Sequence, residues 1–457
     1  MTTMKVQAKQ GFIEGAWVRD VSVDVDDTGR IRGIERGAGI GSGALDMLLP
    51  APLNLHSHAF QRAMAGLTET RGPDPRDSFW TWRRLMYRFL ERLTPEHVEA
   101  IAAQVFMEML EAGYGAVAEF HYLHHGPDGT PYGDIAEMAG RVLAAGQETG
   151  LGMTLLPVLY SYGGCDRRAL TGGQRRFGND PDRFSGLFEA SEKLVAQGRA
   201  DDGIGVAPHS LRAVDPDGLS QAVALAGARP IHMHLAEQVA EVEEVEAHLG
   251  ARPAAWLLDN HAVDARWCLI HCTQMTGAET RALARSGAVA GLCPITESSL
   301  GDGIFNGTEY LAASGRFGVG SDSNIHISLF QELATLEYSQ RLRDRSRAAL
   351  ATAERSTGRV LFEGAARGGA QAGGRGSGQI AEGQWADMVG VATDNAWICN
   401  RSGDTALDSM IFGGRGQDCI SDVWSAGRHV VQEGRHVRRE AITARFLDVM
   451  AELGQDI

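Results

Sequence analysis

The chain has 457 residues, of which 44% are hydrophobic and 22% are charged. These proportions are ordinary for globular proteins and exclude disorder along the whole chain. The formal net charge of −15 makes the protein a poor electrostatic partner for nucleic acids and anionic membranes.

The N-terminal residues have the pattern of a small β-sheet. Val21, Val23 and Val25 alternate with polar residues, which is the period of a strand with one buried face. The segment 26–29 supplies a turn, and Ile31 resumes the apolar pattern. These residues predict strands rather than a strand–helix unit.

Strands and helices alternate from residue 48 onward. The apolar run 48–56 predicts a buried strand, Thr94 and Pro95 are typical of a helix start, and 116–122 predicts the next strand. The further strand candidates are 155–161, 204–207, 230–234, 267–271, 288–293 and 318–322. Helical stretches such as 237–249 and 275–286 lie between several of them. Eight alternating units predict a (β/α)₈ TIM barrel, and the pattern alone also fits a doubly wound open sheet.

The two ends of the chain share a β pattern. Residues 386–391 and 422–431 return to β alternation, and the final apolar stripe at 442–453 is helical. Because chain termini often lie close together, we predict that both ends build one small flanking β-sandwich-like domain. The predicted parts are 1–48 for its N-terminal portion, 49–376 for the barrel, and 377–457 for its C-terminal portion with the terminal helix.

Two pairs of histidines lie at the ends of predicted strands. His56 and His58 are two residues apart, so a strand points both side chains to one face. His232 and His234 repeat this spacing, and Glu237 follows them in the next loop. In an α/β barrel, this end of the strands is where active sites form.

His271 and Asp322 each close a further predicted strand. Either residue alone is more often structural than catalytic, but a whole set of such residues at strand ends is hard to produce by chance. Imidazoles and a carboxylate are ligands that Zn²⁺ prefers, although other first-row ions accept the same donors. The pattern predicts one divalent metal, in the first place Zn²⁺, with Glu237 as a nearby carrier of protons.

The motifs together resemble the amidohydrolase superfamily, and within it the aminohydrolase branch that deaminates substrates containing C=N bonds. The resemblance covers nearly the whole chain. It is carried by His271 and by HSHA at 56–59, HLAE at 234–237, CPITESSLGDG at 293–303, GVGSDSN at 318–324 and GQIAEGQWADMV at 378–389. It implies that the Gly-rich segment 363–378 belongs to the end of the barrel and not to a free linker.

The resemblance also implies roles for individual residues. Glu237 would be the proton shuttle, and His271 would hydrogen-bond the hydrolytic water or the substrate. The metal ligands would be His56, His58, His234 and Asp322. Asp322 would also belong to the catalytic group. Many relatives hold two metals bridged by a carboxylated Lys on the fourth strand, but 204–209 contains no Lys, which favours one metal. His232 could be either a metal ligand or a supporting residue, and we favour the supporting role.

Four segments, 61–62, 77–87, 119–122 and 207–212, carry a narrower resemblance. Through them the chain most resembles, within this branch, the deiminases that hydrolyse N-formimino-L-glutamate to N-formyl-L-glutamate and ammonia in histidine degradation. A substrate with two carboxylates needs at least one Arg, preferably two in bidentate poses. Arg212, after the fourth strand, and Arg83, in an insert after the first, are the candidates, with Arg84 as the alternative to Arg83. The other predicted substrate contacts are Gln61, Tyr122 and His209.

Two further interpretations stay open. The first is another deaminase of the branch, acting on guanine, cytosine or an adenosine derivative. The second is a catalytically inactive barrel used for binding, against which the complete ligand set with Glu237 argues. We expect a small dicarboxylate substrate, a homodimer, and no nucleic acid or membrane partner. Six scattered cysteines without a CxxC pair, and a first segment without a signal-peptide pattern, predict a cytoplasmic location.

Overall fold

The computed structural model describes residues 4–67, 69 and 86–454. The strands are β1 Met4–Ile13, β2 Ala16–Val25, β3 Ile31–Arg36, β4 Leu45–Pro50, β5 Leu53–Ser57, β6 Ala116–His121, β7 Gly152–Leu159, β8 Gly203–Ile204, β9 Ala207–Pro208, β10 Ile231–Leu235, β11 Trp267–His271, β12 Val289–Leu292, β13 Arg316–Val319, β14 Met388–Val391, β15 Ile420–Ser425, β16 Arg428–Gln432 and β17 Arg435–His436. The helices are α1 Pro95–Glu111, α2 Glu137–Thr149, α3 Pro181–Gln197, α4 Pro216–Ala226, α5 Val239–Leu249, α6 Pro253–Asn260, α7 Gly277–Ser286, α8 Pro294–Leu300, α9 Gly307–Ala312, α10 Leu329–Asp344, α11 Thr357–Ala372, α12 Asp404–Phe412 and α13 Arg439–Leu453. Short 3₁₀ helices occupy Ala59–Met64, Gly172–Arg176 and Gly416–Cys419.

Strands β5 to β13 are parallel and form two sheets. One sheet has the order β5-β6-β7-β8, with β9 also paired to β7, and the other has the order β10-β11-β12-β13. Single bridges connect the two sheets, from Val206 to Ile231 and from Ser57 to Asp322. Every residue of β5, β6 and β7 is buried, including the polar side chains of β5 and β6, as is typical of parallel strands that are covered on both faces. The predicted alternation of parallel strands with helices is confirmed.

Several predicted strands have different bounds in the structure. The run expected as one strand over 48–56 is divided between β4 and β5, which belong to different sheets, and the break falls at Pro52, which has no N–H to donate. The strand expected over 204–207 is divided into β8 and β9, and the strand expected over 318–322 ends at Val319. Beyond Val319 the chain runs against β5, where the N–H of Asp322 donates to the carbonyl of His56 at 2.9 Å. The N–H of His58 in turn donates to the carbonyl of Asp322 at 2.9 Å. Asp322 therefore lies in a bend that is bonded to β5, not at the end of its own strand.

Both chain ends contribute to a separate sheet of eight strands. Its order is β17-β16-β15-β14-β4-β1-β2-β3, with β1 and β4 parallel and the other pairs antiparallel. Val21, Val23 and Val25 are buried in its core, as their alternation predicts. Hydrogen bonding joins all eight strands into a single sheet, and residues from β1 to β4, β14 and β15 share one apolar core. No helix in the described part of the chain is long and apolar enough to cross a membrane.

The Gly-rich segment before residue 378 lies mostly in α11, which packs against β5 and β13. A Cβ atom on Gly368 would come within 1.8 Å of the carbonyl oxygen of Phe317, and one on Gly369 within 2.5 Å of that of Leu53. The glycines are therefore needed because the helix backbone approaches the strands directly. A segment with the composition of a linker is in fact a packed helix.

A buried ion network ties the parallel strands to the eight-stranded sheet. The guanidinium of Arg375 pairs with Asp201 at 3.0 Å and with Asp387 at 2.7 Å, and Arg428 of β16 pairs with Asp201 at 2.6 Å. Burial alone would raise the pKa of Asp201, but Arg428 and Arg375 outweigh it and lower that pKa to about 2. Asp201 therefore stays charged at neutral pH, and its pairs with Arg375 and Arg428 hold the junction between the two parts.

Candidate active site

The strand ends bring four predicted ligands together. The Nε2 atoms of His56 and His234 lie 3.1 Å apart. Oδ1 of Asp322 lies 3.3 Å from His58 Nε2 and 3.5 Å from His56 Nε2. The side chains come from β5, from β10 and from the bend after β13, and all four are buried. Residues from three distant segments thus direct ligand atoms at one point.

Backbone carbonyls fix the orientation of two of these imidazoles. Nδ1 of His58 lies 3.1 Å from the carbonyl oxygen of Phe120, and Nδ1 of His234 lies 3.0 Å from that of His209. A carbonyl only accepts, so each Nδ1 carries the hydrogen and each Nε2 presents a lone pair when the ring is neutral. Metal-binding histidines are held in this way in proteins generally.

The electrostatics keep these rings neutral. Burial lowers the pKa of His58 to about 3, and burial with the neighbouring histidines lowers the pKa of His56 and His234 well below the ordinary value. Burial, with added repulsion from Glu237 and Glu297, raises the pKa of Asp322 to about 7, although His271 opposes the shift. An isolated carboxylate is costly here, and a cation would compensate it.

The donor set fits a divalent cation. Ligand atoms of His56, His58 and His234 all lie within 4.8 Å of one another, and so do those of His56, His271 and Asp322. Neutral imidazole nitrogens and a carboxylate oxygen match the preference of Zn²⁺ and similar ions. His232 points elsewhere, because its Nε2 lies 2.8 Å from the carbonyl oxygen of Ala372. Its interpretation as a supporting residue agrees with this contact.

His271 lies among three carboxylates. Its Nε2 is 3.8 Å from Oε1 of Glu237 and 3.8 Å from Oδ2 of Asp322, and its Nδ1 is 3.3 Å from Oε1 of Glu297. Burial would lower the pKa of His271, but Glu237, Glu297 and Asp322 together outweigh it and raise the pKa to about 10. The ring can donate a hydrogen bond from Nε2 into the pocket.

The backbone of Glu237 is fixed by its neighbours. Oε2 of Glu241 accepts the N–H of Glu237 at 2.8 Å, and Oε1 of Glu241 accepts the N–H of Ala236 at 3.1 Å. The hydroxyl of Thr273 donates to the carbonyl of Glu237 at 2.7 Å. These bonds leave the side chain of Glu237 as the part that faces the pocket, close to His271.

The ligand cluster opens into a cavity of about 570 Å³, part of which is open to solvent. The cavity is lined by His58, Gln61, Met86, Tyr87, Tyr122, Tyr160, Phe177, His209, Arg212, His234, Glu237, His271, Thr296, Leu300, Asp322 and Ser323. Gln61 donates from Nε2 to the hydroxyl of Tyr122 at 2.6 Å. The structure thus places Gln61, Tyr122, His209 and Arg212 in one pocket with the ligand cluster, whereas Arg83 and Arg84 lie outside the described residues.

Arg212 is a buried cation in this pocket. Its Nε has no hydrogen-bond partner among the described residues. Burial would lower its pKa, but the nearby acids, Glu241 first and Glu237 among the others, raise it, so the guanidinium stays charged. A buried, charged and incompletely bonded guanidinium is suited to binding a carboxylate.

Sequence reasoning missed several residues of the site. Tyr160 follows directly after β7, so the same strand-end argument that selected the histidines could have found it. Thr296 and Ser323 lie inside the motifs at 293–303 and 318–324, which indicated the family but not these two residues. Phe177 and Met86 follow no such pattern, because neither lies at the end of a parallel strand: Phe177 caps the 3₁₀ helix Gly172–Arg176, and Met86 is helical.

Comparisons with known proteins agree with this geometry. Residues 47–430 match the profile of the Amidohydrolase family. The chain is 45% identical to a formimidoylglutamate deiminase from Pseudomonas aeruginosa over 98% of both chains. It is 26% identical to a 5-methylthioadenosine/S-adenosylhomocysteine deaminase from Natronomonas pharaonis, over 96% of this chain and 94% of that one.

Solved structures show the same fold. An amidohydrolase from Brucella melitensis superimposes with a TM-score of 0.93 at 46% identity, covering 98% of this chain and 99% of that one. An adenosine deaminase from Xanthomonas campestris with bound zinc superimposes with a TM-score of 0.81, covering 98% of both chains. Its identity of 21% extends the likeness to the fold alone.

Proposed function

The chain belongs to the amidohydrolase family, and from this premise we propose that it is a metal-dependent deiminase of N-formimino-L-glutamate. The reaction adds water to the formimino group and releases N-formyl-L-glutamate and ammonia, a step of histidine degradation. The observation that carries the proposal is the presence of the buried Arg212 in the same pocket as the His/Asp/Glu cluster. The likeness to a formimidoylglutamate deiminase over almost the full chain supports it.

We propose that the two parallel sheets close into a (β/α)₈ barrel. The bridges from Val206 to Ile231 and from Ser57 to Asp322 support this closure, because they lie at the two places where the sheets meet. The proposed division of the chain is 1–48 and 377–457 for the small domain and 49–376 for the barrel. The site then lies at the carboxyl ends of the strands, where barrel enzymes carry their catalytic groups.

The residues His56, His58, His234 and Asp322 would hold one divalent metal, in the first place Zn²⁺. The fixed Nε2 lone pairs of His58 and His234 support this assignment, and the absence of Lys from 204–209 favours one ion over two. When bound, the ion supplies the Lewis acidity that makes a water molecule nucleophilic near neutral pH.

Protons are moved by the chain's own groups. The carboxylate of Glu237 takes a proton from the attacking water as its oxygen bonds to the formimino carbon. It gives that proton to the imine nitrogen, then takes the remaining proton from the new hydroxyl and gives it to the same nitrogen as the C–N bond breaks. The formyl C=O forms, one water is consumed and one ammonia leaves. His271, whose Nε2 is 3.8 Å from Oε1 of Glu237, donates a hydrogen bond to the same reacting group. Asp322 lies on the other side of this Nε2 and belongs to the same catalytic group.

The glutamate part of the substrate sets the specificity. Arg212 would bind one carboxylate in the buried part of the pocket, and Arg83 of the insert would bind the other. Gln61, Tyr122 and His209, which share the pocket wall, would orient the formimino group. The protein itself would be a cytoplasmic homodimer.

A second candidate is deamination of a nucleobase derivative. The aromatic side chains Tyr122, Tyr160 and Phe177 lie together in the pocket wall and could stack against a planar base. A planar base does not, however, call for a buried guanidinium. An inactive binding barrel is disfavoured because Glu237 and the metal ligands are all in place.

The direct test is the stoichiometry of products. Metal-loaded protein incubated with N-formimino-L-glutamate should release one ammonia for each N-formyl-L-glutamate formed, followed by an ammonia assay and by proton NMR of the formyl group. Failure to form N-formyl-L-glutamate, with ammonia released from a nucleobase instead, would establish the second candidate.

A further inference from the structure

Glu297 is a buried acid of α8 that contacts His271 through the ring nitrogen facing away from Glu237. Its Oε1 lies 3.3 Å from Nδ1 of His271. The same oxygen accepts the backbone N–H of Cys293 at 2.8 Å. This N–H belongs to the start of α8, where backbone donors have no helical partner and a negative charge is favoured. The carboxylate is therefore held in place by its own helix.

This contact fixes the orientation of the His271 ring. Oε1 of Glu297 already accepts the N–H of Cys293, and we assign the hydrogen of its contact with His271 to Nδ1. The opposite nitrogen, Nε2, then lies 3.8 Å from both Glu237 and Asp322. Without Glu297, the ring would lose the contact that holds it in this orientation.

We propose that Glu297 is a positioning residue that holds the ring of His271 so that Nε2 faces the reacting formimino group. The inference rests on the proposed function, because His271 acts in that reaction. Glu297 is absent from the cavity lining and acts through His271. Carboxylates that orient an imidazole in this way contribute substantially to activity in other sites.

Two other roles for Glu297 must be separated from this one. The carboxylate could merely stabilise the start of α8, or it could ligate a second metal with His271 and Cys293, since their ligand atoms lie within 4.8 Å of one another. The chain offers a matched control for the first role. Glu332 of α10 is also buried and accepts the N–H of Ile295 at 2.9 Å, at the same helix start. It is not hydrogen-bonded to His271 in the described part of the chain.

The experiment compares the full-length, metal-loaded wild type with Glu297→Gln and Glu332→Gln. Glu297→Gln should lower kcat on N-formimino-L-glutamate by about 10- to 100-fold, with KM little changed and with the metal content of the wild type. Glu332→Gln should retain the wild-type kcat. Equal losses of kcat in the two variants would reduce Glu297 to a helix cap, and loss of metal in Glu297→Gln would make it a ligand.

A second readout does not depend on turnover. With ¹⁵N-labelled histidine, and with His271→Gln to assign the signals, Nδ1 of His271 should be protonated in the wild type. Glu297→Gln should shift these ring signals and Glu332→Gln should not. An unprotonated Nδ1 in the wild type overturns the proposal even if Glu297→Gln does not fold. A wild type without activity on N-formimino-L-glutamate would refute the proposed function, while the NMR result would still decide the contact.

Discussion

At the residue scale, the site depends on main-chain carbonyls as much as on the histidines themselves. Phe120 and His209 supply the carbonyls that accept hydrogen from His58 and His234, and so leave Nε2 of each ring free to bind a metal. Both carbonyls lie at the ends of the parallel strands, on β6 and just after β9. If these histidines bind a metal as proposed, the fold selects the ligand atom as well as the ligand residue.

The first prediction concerns the metal. His58→Ala removes one imidazole of the cluster, so the variant should bind less metal and lose activity together. Metal per chain is measured on purified protein by plasma mass spectrometry, and His248→Ala, an exposed histidine of α5, is the control. A wild-type metal content in His58→Ala would contradict the ligand assignment, and two tightly bound ions in the wild type would contradict a single-metal site.

The second prediction concerns proton transfer. Glu237→Gln keeps the shape of the side chain but removes the base, so turnover should fall by about 100-fold or more while the metal stays bound. The matched control is Glu243→Gln, which alters an exposed acid of α5. Near-normal turnover in Glu237→Gln would show that another group, such as His271 or Asp322, carries both proton steps.

The third prediction concerns substrate charge. A shielded Arg–carboxylate pair contributes about 2–4 kcal/mol, which corresponds to roughly 30- to 700-fold in kcat/KM. Arg212→Met should lower kcat/KM on N-formimino-L-glutamate by that order with the metal retained. A formimino amino acid without the side-chain carboxylate should be poor with the wild type. If Arg212 holds that carboxylate, Arg212→Met should lower kcat/KM on this compound much less than it lowers kcat/KM on N-formimino-L-glutamate.

Arg83→Met gives the corresponding test for the insert. It should lower kcat/KM in the same way if the insert covers the pocket. If both Arg variants act on N-formimino-L-glutamate like the wild type, the dicarboxylate specificity is wrong. Deamination of a nucleobase then becomes the better hypothesis.

Four histidines that were predicted for the site from the sequence share one property. His56, His58, His234 and His271 lie at strand ends, where chain position alone indicates a common edge. Glu297 could not be found in this way, because its role depends on a contact between α8 and β11. The orientation of His232 toward the carbonyl of Ala372 likewise depends on how α11 packs. Local pattern predicts the edge, and packing between elements decides which atoms meet there.

At the element scale, α11 shows why composition misleads. Its glycines favour a linker by propensity, but they permit a helix backbone to lie directly on β13 and β5. The predicted bounds of the strand near Asp322 are wrong for a related reason. The chain leaves the ladder of β13 at Val319 and bonds to β5 instead, a long-range contact that no local window contains.

The fourth prediction is a pair of glycine substitutions with opposite signs. Gly368→Ala in α11 places a Cβ where the carbonyl oxygen of Phe317 would be 1.8 Å away, so it should destabilise the fold by about 1–3 kcal/mol. Gly186→Ala in α3 meets nothing within 4 Å and should stabilise it by up to about 1 kcal/mol. The midpoints of urea unfolding test both. A neutral or stabilising Gly368→Ala would contradict the close packing of α11.

At the scale of the whole molecule, the net negative charge contrasts with the buried cation Arg212 in the pocket. The chain carries a formal charge of −15, which repels a dianionic substrate at long range. At physiological ionic strength this repulsion is screened beyond about 8 Å, so selection of the substrate depends on close contacts. In the proposed function, the buried Arg212 would supply such a contact inside the pocket.

The central claim is that this pocket deiminates N-formimino-L-glutamate. The most direct test is kcat/KM of the metal-loaded wild type, measured by ammonia release on N-formimino-L-glutamate and, in parallel, on guanine, cytosine and 5-methylthioadenosine, with Glu237→Gln as the blank. We expect a preference of at least about 100-fold for N-formimino-L-glutamate, because a pocket with a buried guanidinium rejects substrates that leave it unpaired. Faster release of ammonia from any of the three nucleobase compounds would contradict it.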